Sequence, residues 1–302
     1  MTQKQNTKAP APTYGLEIVN GFLSKVKECA ITEGTQLSPK DIMYASNIIA
    51  SVDKKLRETQ VNWKDLDVVG CRFPQQVKRY ARLGLSLDEN EIYVDIRYNS
   101  KTELKDINIK KQYQGLEKEI MKFCTKKVVR FFKDIVCVGD EFVIETDFNT
   151  GLQKVTKHNK DMSVDRNKLE NIIGAYQIAY VEENGTLNQY LAYIDKNRIM
   201  RAYNASPSRE KSVWNKDTRL MVLKTATHTL YNNVMKPYMQ IPTDLLNDWK
   251  ETQDVMEFEE NGISKQVQKP NKIDIDEIDV VEAEFNVKEN EEDEANIDSE
   301  QQ

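Results

Sequence analysis

The chain has 302 residues, of which 39% are hydrophobic and 30% charged, enough for one large core or two small ones, and no apolar run reaches membrane-spanning length. Cys29, Cys71, Cys124 and Cys137 lie far apart with no CxxC pair, and only His158 and His228 could join them, which argues against zinc and for reduced thiols in a cytoplasm. The net charge of −6 is unevenly spread, and no apolar secretory core precedes the first polar residues, so export is not expected.

Residues 1–13 are polar with Pro10 and Pro12 and read as disordered. Leu16, Val19, Phe22, Leu23 and Val26 then recur at helical spacing. Ser38-Pro39 opens a second helix, whose Ile42, Ala45, Ile49, Val52 and Leu56 form one apolar stripe. A third helix is expected over Gln75–Arg82, ending near Gly84. Ile92, Val94 and Ile96 alternate with polar residues as in a half-buried strand; Asn99-Ser100 turns the chain, and Leu104, Ile107 and Ile109 continue as its partner. A helix from Tyr113 to Cys124 follows, then strands over Val128–Val138, Phe142–Glu145 and Lys154–Lys157. Asn184-Gly185 joins Ile172–Val181 to Thr186–Ile194 as the clearest hairpin. Asp195 caps a short helix ending near Tyr203, and a last helix spans Lys216–Val234, stopping before Pro237. The folded domain is expected to cover 14–250 and an acidic, mostly disordered tail 251–302, within which Ile273–Val287 either forms a docking segment or stays disordered.

Dividing the charge at those boundaries changes its meaning. Residues 273–302 hold thirteen carboxylates and one lysine, whereas residues 1–250 carry a net +8. A basic body with an acidic tail points to nucleic acid as partner, or to a solvated surface with a solubilising tail. Cations grouped near aromatics are the candidate phosphate and base contacts. They are Lys110 and Lys111 before Tyr113, Lys118 on the following helix, and Lys126, Lys127 and Arg130 beside Phe131 and Phe132. Further on come Lys196, Arg198 and Arg201 near Tyr203, then Lys216, Arg219 and Lys224 near Trp214. Lys78, Arg79 and Arg82 around Tyr80 form another candidate face. Each could equally be a solvated helix face, and Trp214 a packing anchor. Phe131 and Phe132 point to opposite sides of a strand, so at least one is core. Five phosphate contacts would give single-strand affinity a log–log salt slope of about −3.5.

Enzymatic readings are poor. There is no phosphate-cradling glycine loop for an ATP-driven motor, and neither histidine has a nucleophile partner by motif. Asp95 followed by Glu103-Leu104-Lys105 is a faint nuclease-like pattern of a kind common by chance in so charged a chain.

One set of fragments is more specific in combination than singly. Leu83-Gly84-Leu85, Tyr113-Gln114-Gly115-Leu116, Val136, Asp140 and Phe142, Gly151 and His158, then Trp214, Met221 and Lys224-Thr225 occur in order. Over residues 70–236 they resemble the RecT family of phage single-strand DNA annealing proteins. The resemblance implies an α+β fold, a bent antiparallel sheet packed on helices, with DNA along a basic groove running between subunits. It implies a non-enzymatic, ATP-independent protein that binds single strands, anneals complements and stays on the duplex, as a ring or helical filament. It further implies a 5′→3′ exonuclease partner in a bacterial cytoplasm. The acidic tail could contact that nuclease or the host single-strand binding protein, or compete with DNA for the groove. No cofactor is implied; divalent ions can bridge phosphates, but no dedicated site is visible. Under this reading Lys224 is the strongest DNA contact, Gly115 permits close packing between sheet and helix, and Asp140 anchors a turn. The chain departs from the pattern at Gln112, Gln114, Val213 and Leu223, where glycine, lysine, proline and lysine are usual, which makes it a divergent member. A passive single-strand binder is the alternative.

Overall fold

A computed structural model describes residues 14–206 and 213–261. The expected disorder of 1–13 and of the tail beyond residue 261 lies outside them. The fold is α+β, as expected, with antiparallel sheets packed on helices.

The first half builds one core. Helices α1 (Tyr14–Thr32), α2 (Pro39–Glu58) and α3 (Phe73–Leu83) pack on the hairpin of β1 (Ile92–Asn99) and β2 (Leu104–Lys111). Ser38 caps α2 reciprocally: its hydroxyl accepts from Asp41 N at 3.2 Å, and Asp41 Oδ2 accepts from Ser38 N at 2.8 Å. The predicted stripe is buried at Ala45, Ile49, Val52 and Leu56 against Phe73, Val77, Ile92 and Ile107, each such aliphatic side chain contributing about 1.5–3 kcal/mol. Inward Ile92 and Val94 leave Tyr93 and Asp95 on the other face of β1, with Lys110 directly opposite Tyr93.

The second half is built on β3 (Lys127–Cys137), β6 (Ile172–Glu183) and β7 (Thr186–Asp195), ordered β3-β6-β7. The β6–β7 turn has Asn184 and Gly185 at φ of 51° and 76°, both left-handed, the geometry that matches strand twist in two-residue turns. One face is covered by α4 (Tyr113–Phe123), α5 (Lys196–Ala205) and α7 (Thr218–Thr229), burying Leu116, Ile120, Ala179, Ile199, Val222 and Ala226. The other carries the hairpin of β4 (Glu141–Thr146) and β5 (Gln153–Asn159), whose Phe142, Ile144 and Val155 pack on Tyr176, Ile178 and Leu191. The strands fall into three antiparallel sheets, β1-β2, β3-β6-β7 and β4-β5. The β4–β5 hairpin is joined to β7 through side chains, Val155 N donating to Gln189 Oε1 at 3.0 Å.

Two expectations change near the C-terminus. The single helix over Lys216–Val234 is divided into α6 (Val213–Lys216), α7 and a wider π-turn over Leu230–Met235. Asp217 causes the break, because its carboxylate caps the new helix by accepting from Leu220 N at 2.9 Å. Position 250 falls inside another helix, α8 (Leu246–Asn261), rather than ending the fold. Asp248, Thr252 and Gln253 are buried there, and Trp249 packs on the first core.

Candidate nucleic-acid interface

Three predicted or adjacent groups converge where the two halves meet. Lys224 on α7 reaches over the Tyr93 ring, 6.0 Å from its centroid, and Lys110 stands opposite Tyr93 across the β1–β2 ladder. Lys224 and Tyr93 are half-buried, and Lys110 Nζ lies 3.4 Å from Asp95. A ring flanked by ammonium groups from two elements can hold a phosphate and offer a flat face to a base. Close by in the chain, Tyr113 opens α4 and receives Lys133 Nζ over its ring at 3.8 Å. Lys133 also pairs with Glu117 at 2.8 Å, and burial outweighs that carboxylate in pulling the ammonium's pKa down.

The other predicted cations are dispersed, and four of them already have carboxylate partners. Lys118 pairs with Glu91 at 2.6 Å and Glu89 at 3.3 Å. Lys126 pairs with Glu183 between the Tyr190 and Tyr238 rings, and Lys127 with Glu182 at 2.7 Å. Arg130 is exposed and stacks 4.5 Å over Tyr180. Lys196 donates to the carbonyls of Leu169 and Ile172, so its ammonium braces the start of β6. Arg198 is half-buried on α5, whereas Arg201 and Lys216 are exposed. Arg219 lies 3.5 Å from Asp134.

Lys111 requires a correction. Its side chain and that of Glu119 are both 0% exposed and pair at 2.6 Å, so the ammonium cannot reach a phosphate in this fold. Tyr231 Oη donates to Glu119 Oε2 at 2.6 Å and accepts from Trp249 Nε1 at 3.0 Å. The Gln253 amide lies 2.9 Å from both Tyr231 Oη and Lys111 Nζ, which places its oxygen toward the ammonium. Burial lowers the Lys111 pKa and Glu119 opposes that, an arrangement that ties β2, α4, the π-turn and α8 together.

The motif residues otherwise serve as scaffold. A Cβ on Gly115 would stand 2.3 Å from the Glu91 carbonyl oxygen, so only glycine allows α4 to meet the β1 entry this closely. Trp214 is buried edge-on to Tyr203 at 5.6 Å and is a packing anchor. Phe131 packs into the core while Phe132 is 46% exposed. Asp140 anchors its turn by accepting from Cys137 N at 2.8 Å and Asp161 N at 2.9 Å. It also holds Arg166 through both oxygens, at 2.7 and 2.9 Å, and His158 Nε2 at 3.1 Å. Burial works against its ionisation, but Arg166, the backbone donors and His158 outweigh burial and hold the carboxyl well below the usual range.

Arg166, Lys133 and Tyr93 escaped the sequence reading because their partners lie in other elements. The nuclease-like pattern dissolves: Asp95 pairs with Arg97 at 2.8 Å and with Lys110, while Glu103 sits in the hairpin turn. Asp67, Cys71 and Asp106 bring ligand-type atoms within 4.8 Å of one another, a grouping that sequence spacing does not reveal. Among the described residues no helix is long and apolar enough to cross a membrane.

Comparison with known proteins places this geometry in context. The model of the RecT family matches residues 74–239, just over half the chain, from α3 to the end of the π-turn region. No curated protein and no solved structure matches.

Proposed function

Because the chain belongs to the RecT family, whose members bind single-stranded DNA, oligomerise and anneal strands in phage recombination, we propose that it anneals complementary DNA without nucleotide hydrolysis. The observation that carries this reading is the meeting of Lys224, Tyr93 and Lys110. In this mechanism the ammonium groups neutralise the backbone, the strand is held unstacked along an oligomer, and pairing with a second strand supplies the driving force. Arg130, Arg201 and Lys216 extend the phosphate track. An exonuclease exposing 5′→3′ resected ends is the supplier of single strands, and the ring or filament is the working form. The protein's own residues position and release DNA; no covalent step is assigned to them.

The test is annealing of two complementary fluorescent oligonucleotides without ATP, at two salt concentrations, with a non-complementary control. Fast pairing of complements only, slowed by salt, is expected. Binding without faster pairing would make the protein a passive single-strand binder, and no binding would refute the DNA reading altogether. Shortening of the substrate in magnesium would indicate a nuclease instead.

A further inference from the structure

The basic face of α3 does not meet solvent as a basic face. Lys78 and Arg82 have side chains only 1% and 6% exposed, and Arg79 is 20% exposed. Each is matched by a carboxylate from residues 244–251, at or beside the start of α8. Arg82 Nη2 lies 3.0 Å from Asp244 Oδ2, and its Nη1 pairs with Asp248. Lys78 Nζ lies 3.1 Å from Asp248 Oδ1 and also pairs with Glu33. Arg79 Nη2 lies 3.1 Å from Glu251 Oε2. Arg79 and Glu251 sit at the rim of a cleft of about 640 Å³ that Arg72 and Lys110 also line, so this face opens toward the β2 edge of the candidate interface.

Asp244, Asp248 and Glu251 follow one another at intervals of four and three residues, so about one helical turn, roughly 5 Å, separates successive negative charges. A stacked nucleic-acid strand advances about 3.4 Å along its axis per phosphate, and more when extended. The segment thus sets carboxylates against the cations of α3, as the phosphates of a strand would be set. It lies beyond the residues that the family model covers. Asp244 and Glu251 are 70% and 56% exposed, so they contribute charge at the surface rather than packing in the core.

We propose that Glu251, with Asp244 beside it, acts as an intramolecular phosphate mimic that masks Arg79, restraining DNA from this face of α3 until the carboxylates are displaced. The inference rests on the DNA-binding reading above. It differs from a role for the distal acidic tail because the masking groups belong to the folded domain. Masking lowers single-strand affinity and makes it less dependent on salt than the number of nearby cations would suggest.

The experiment measures binding of fluorescein-labelled oligothymidylate by the full chain across a salt series. Asp244→Asn with Glu251→Gln keeps side-chain size and leaves buried Asp248 intact. The expected result is tighter binding with a log–log salt slope steeper by about 0.7, from one more phosphate contact at Arg79, since Arg82 stays buried against Asp248. Adding Arg79→Gln should remove that steepening, which a general reduction of negative charge would not predict. Neutralising Glu141 and Glu145 on β4 instead should leave the slope alone. An unchanged slope in the Asp244/Glu251 variant, or a steepening that survives Arg79→Gln intact, would overturn the proposal while wild-type binding sustains the function. Absence of binding by every protein would refute the function, and this inference with it.

Discussion

Replacing Lys111 with methionine separates a structural lysine from a DNA-contacting one. The substitution leaves the Glu119 carboxylate at 0% exposure without its paired ammonium, still accepting from the Tyr231 hydroxyl. Removing one member of a buried ion pair costs about 3–5 kcal/mol, because the remaining charge stays desolvated. For a domain of this size each kcal/mol lowers Tm by about 2–4 °C, so a fall of roughly 6–20 °C is expected. Adding Glu119→Gln removes the stranded charge and should recover at least about 2 kcal/mol, giving a coupling energy typical of residues in one network. The assays are urea and thermal unfolding of the single and double variants, with the salt dependence of oligothymidylate binding measured where each is folded. The salt slope should match that of the wild type. A slope shallower by about 0.7 with undiminished stability would show that Lys111 meets a phosphate, and the buried-pair argument would be wrong.

Lys224→Ala should weaken binding of all single strands alike and flatten the salt slope by about 0.7, with little change in Tm, since the lysine is half-buried over Tyr93 rather than paired in the core. Gly115→Ala puts a methyl group 2.3 Å from the Glu91 carbonyl oxygen, and displacing α4 to relieve it should cost about 1–3 kcal/mol in urea unfolding. The folded-state pKa of Asp140 is depressed, so its contribution to stability is present above the unfolded value of about 3.9 and is lost as pH falls below that toward the folded value. Asp140→Asn should destabilise the protein at neutral pH and flatten the acid limb of its stability profile; an acid limb as steep as that of the wild type would assign the acid sensitivity to other groups.

Local chemistry made much of the fold legible. The Ser38-Pro39 cap, the Ile92–Val94–Ile96 alternation and the Asn184-Gly185 turn each act over a few residues, and each stands where sequence puts it. The start of α8 was hidden because Asp248, Thr252 and Gln253 read as solvent-facing, and their burial depends on Lys78, Arg82 and Tyr231 far back in the chain. The site was half legible for the same reason. Sequence shows the cations, but Glu183 lies 57 residues from the Lys126 it neutralises, and Lys111 reads as a surface lysine until Glu119 is seen beside it. Lys224 stood out through the family motif, whereas its neighbour Tyr93 looked like an ordinary outward strand residue. The division into three sheets was illegible because strand propensity says which segments extend, and not where a ladder stops.

That division has a mechanical consequence for the β4–β5 hairpin. Its attachment to the main sheet is made by side chains: Phe142 stacked 5.2 Å from Tyr176 and 5.7 Å from Tyr193, Ile144 and Val155, the Gln189 amide, and His158 Nδ1 2.9 Å from Tyr176 Oη. Side-chain contacts of this kind can part without breaking a backbone ladder. The hairpin is therefore a separable stiff piece: lifting it would cost ring contacts, apolar packing and side-chain hydrogen bonds, while β3, β6 and β7 keep their register.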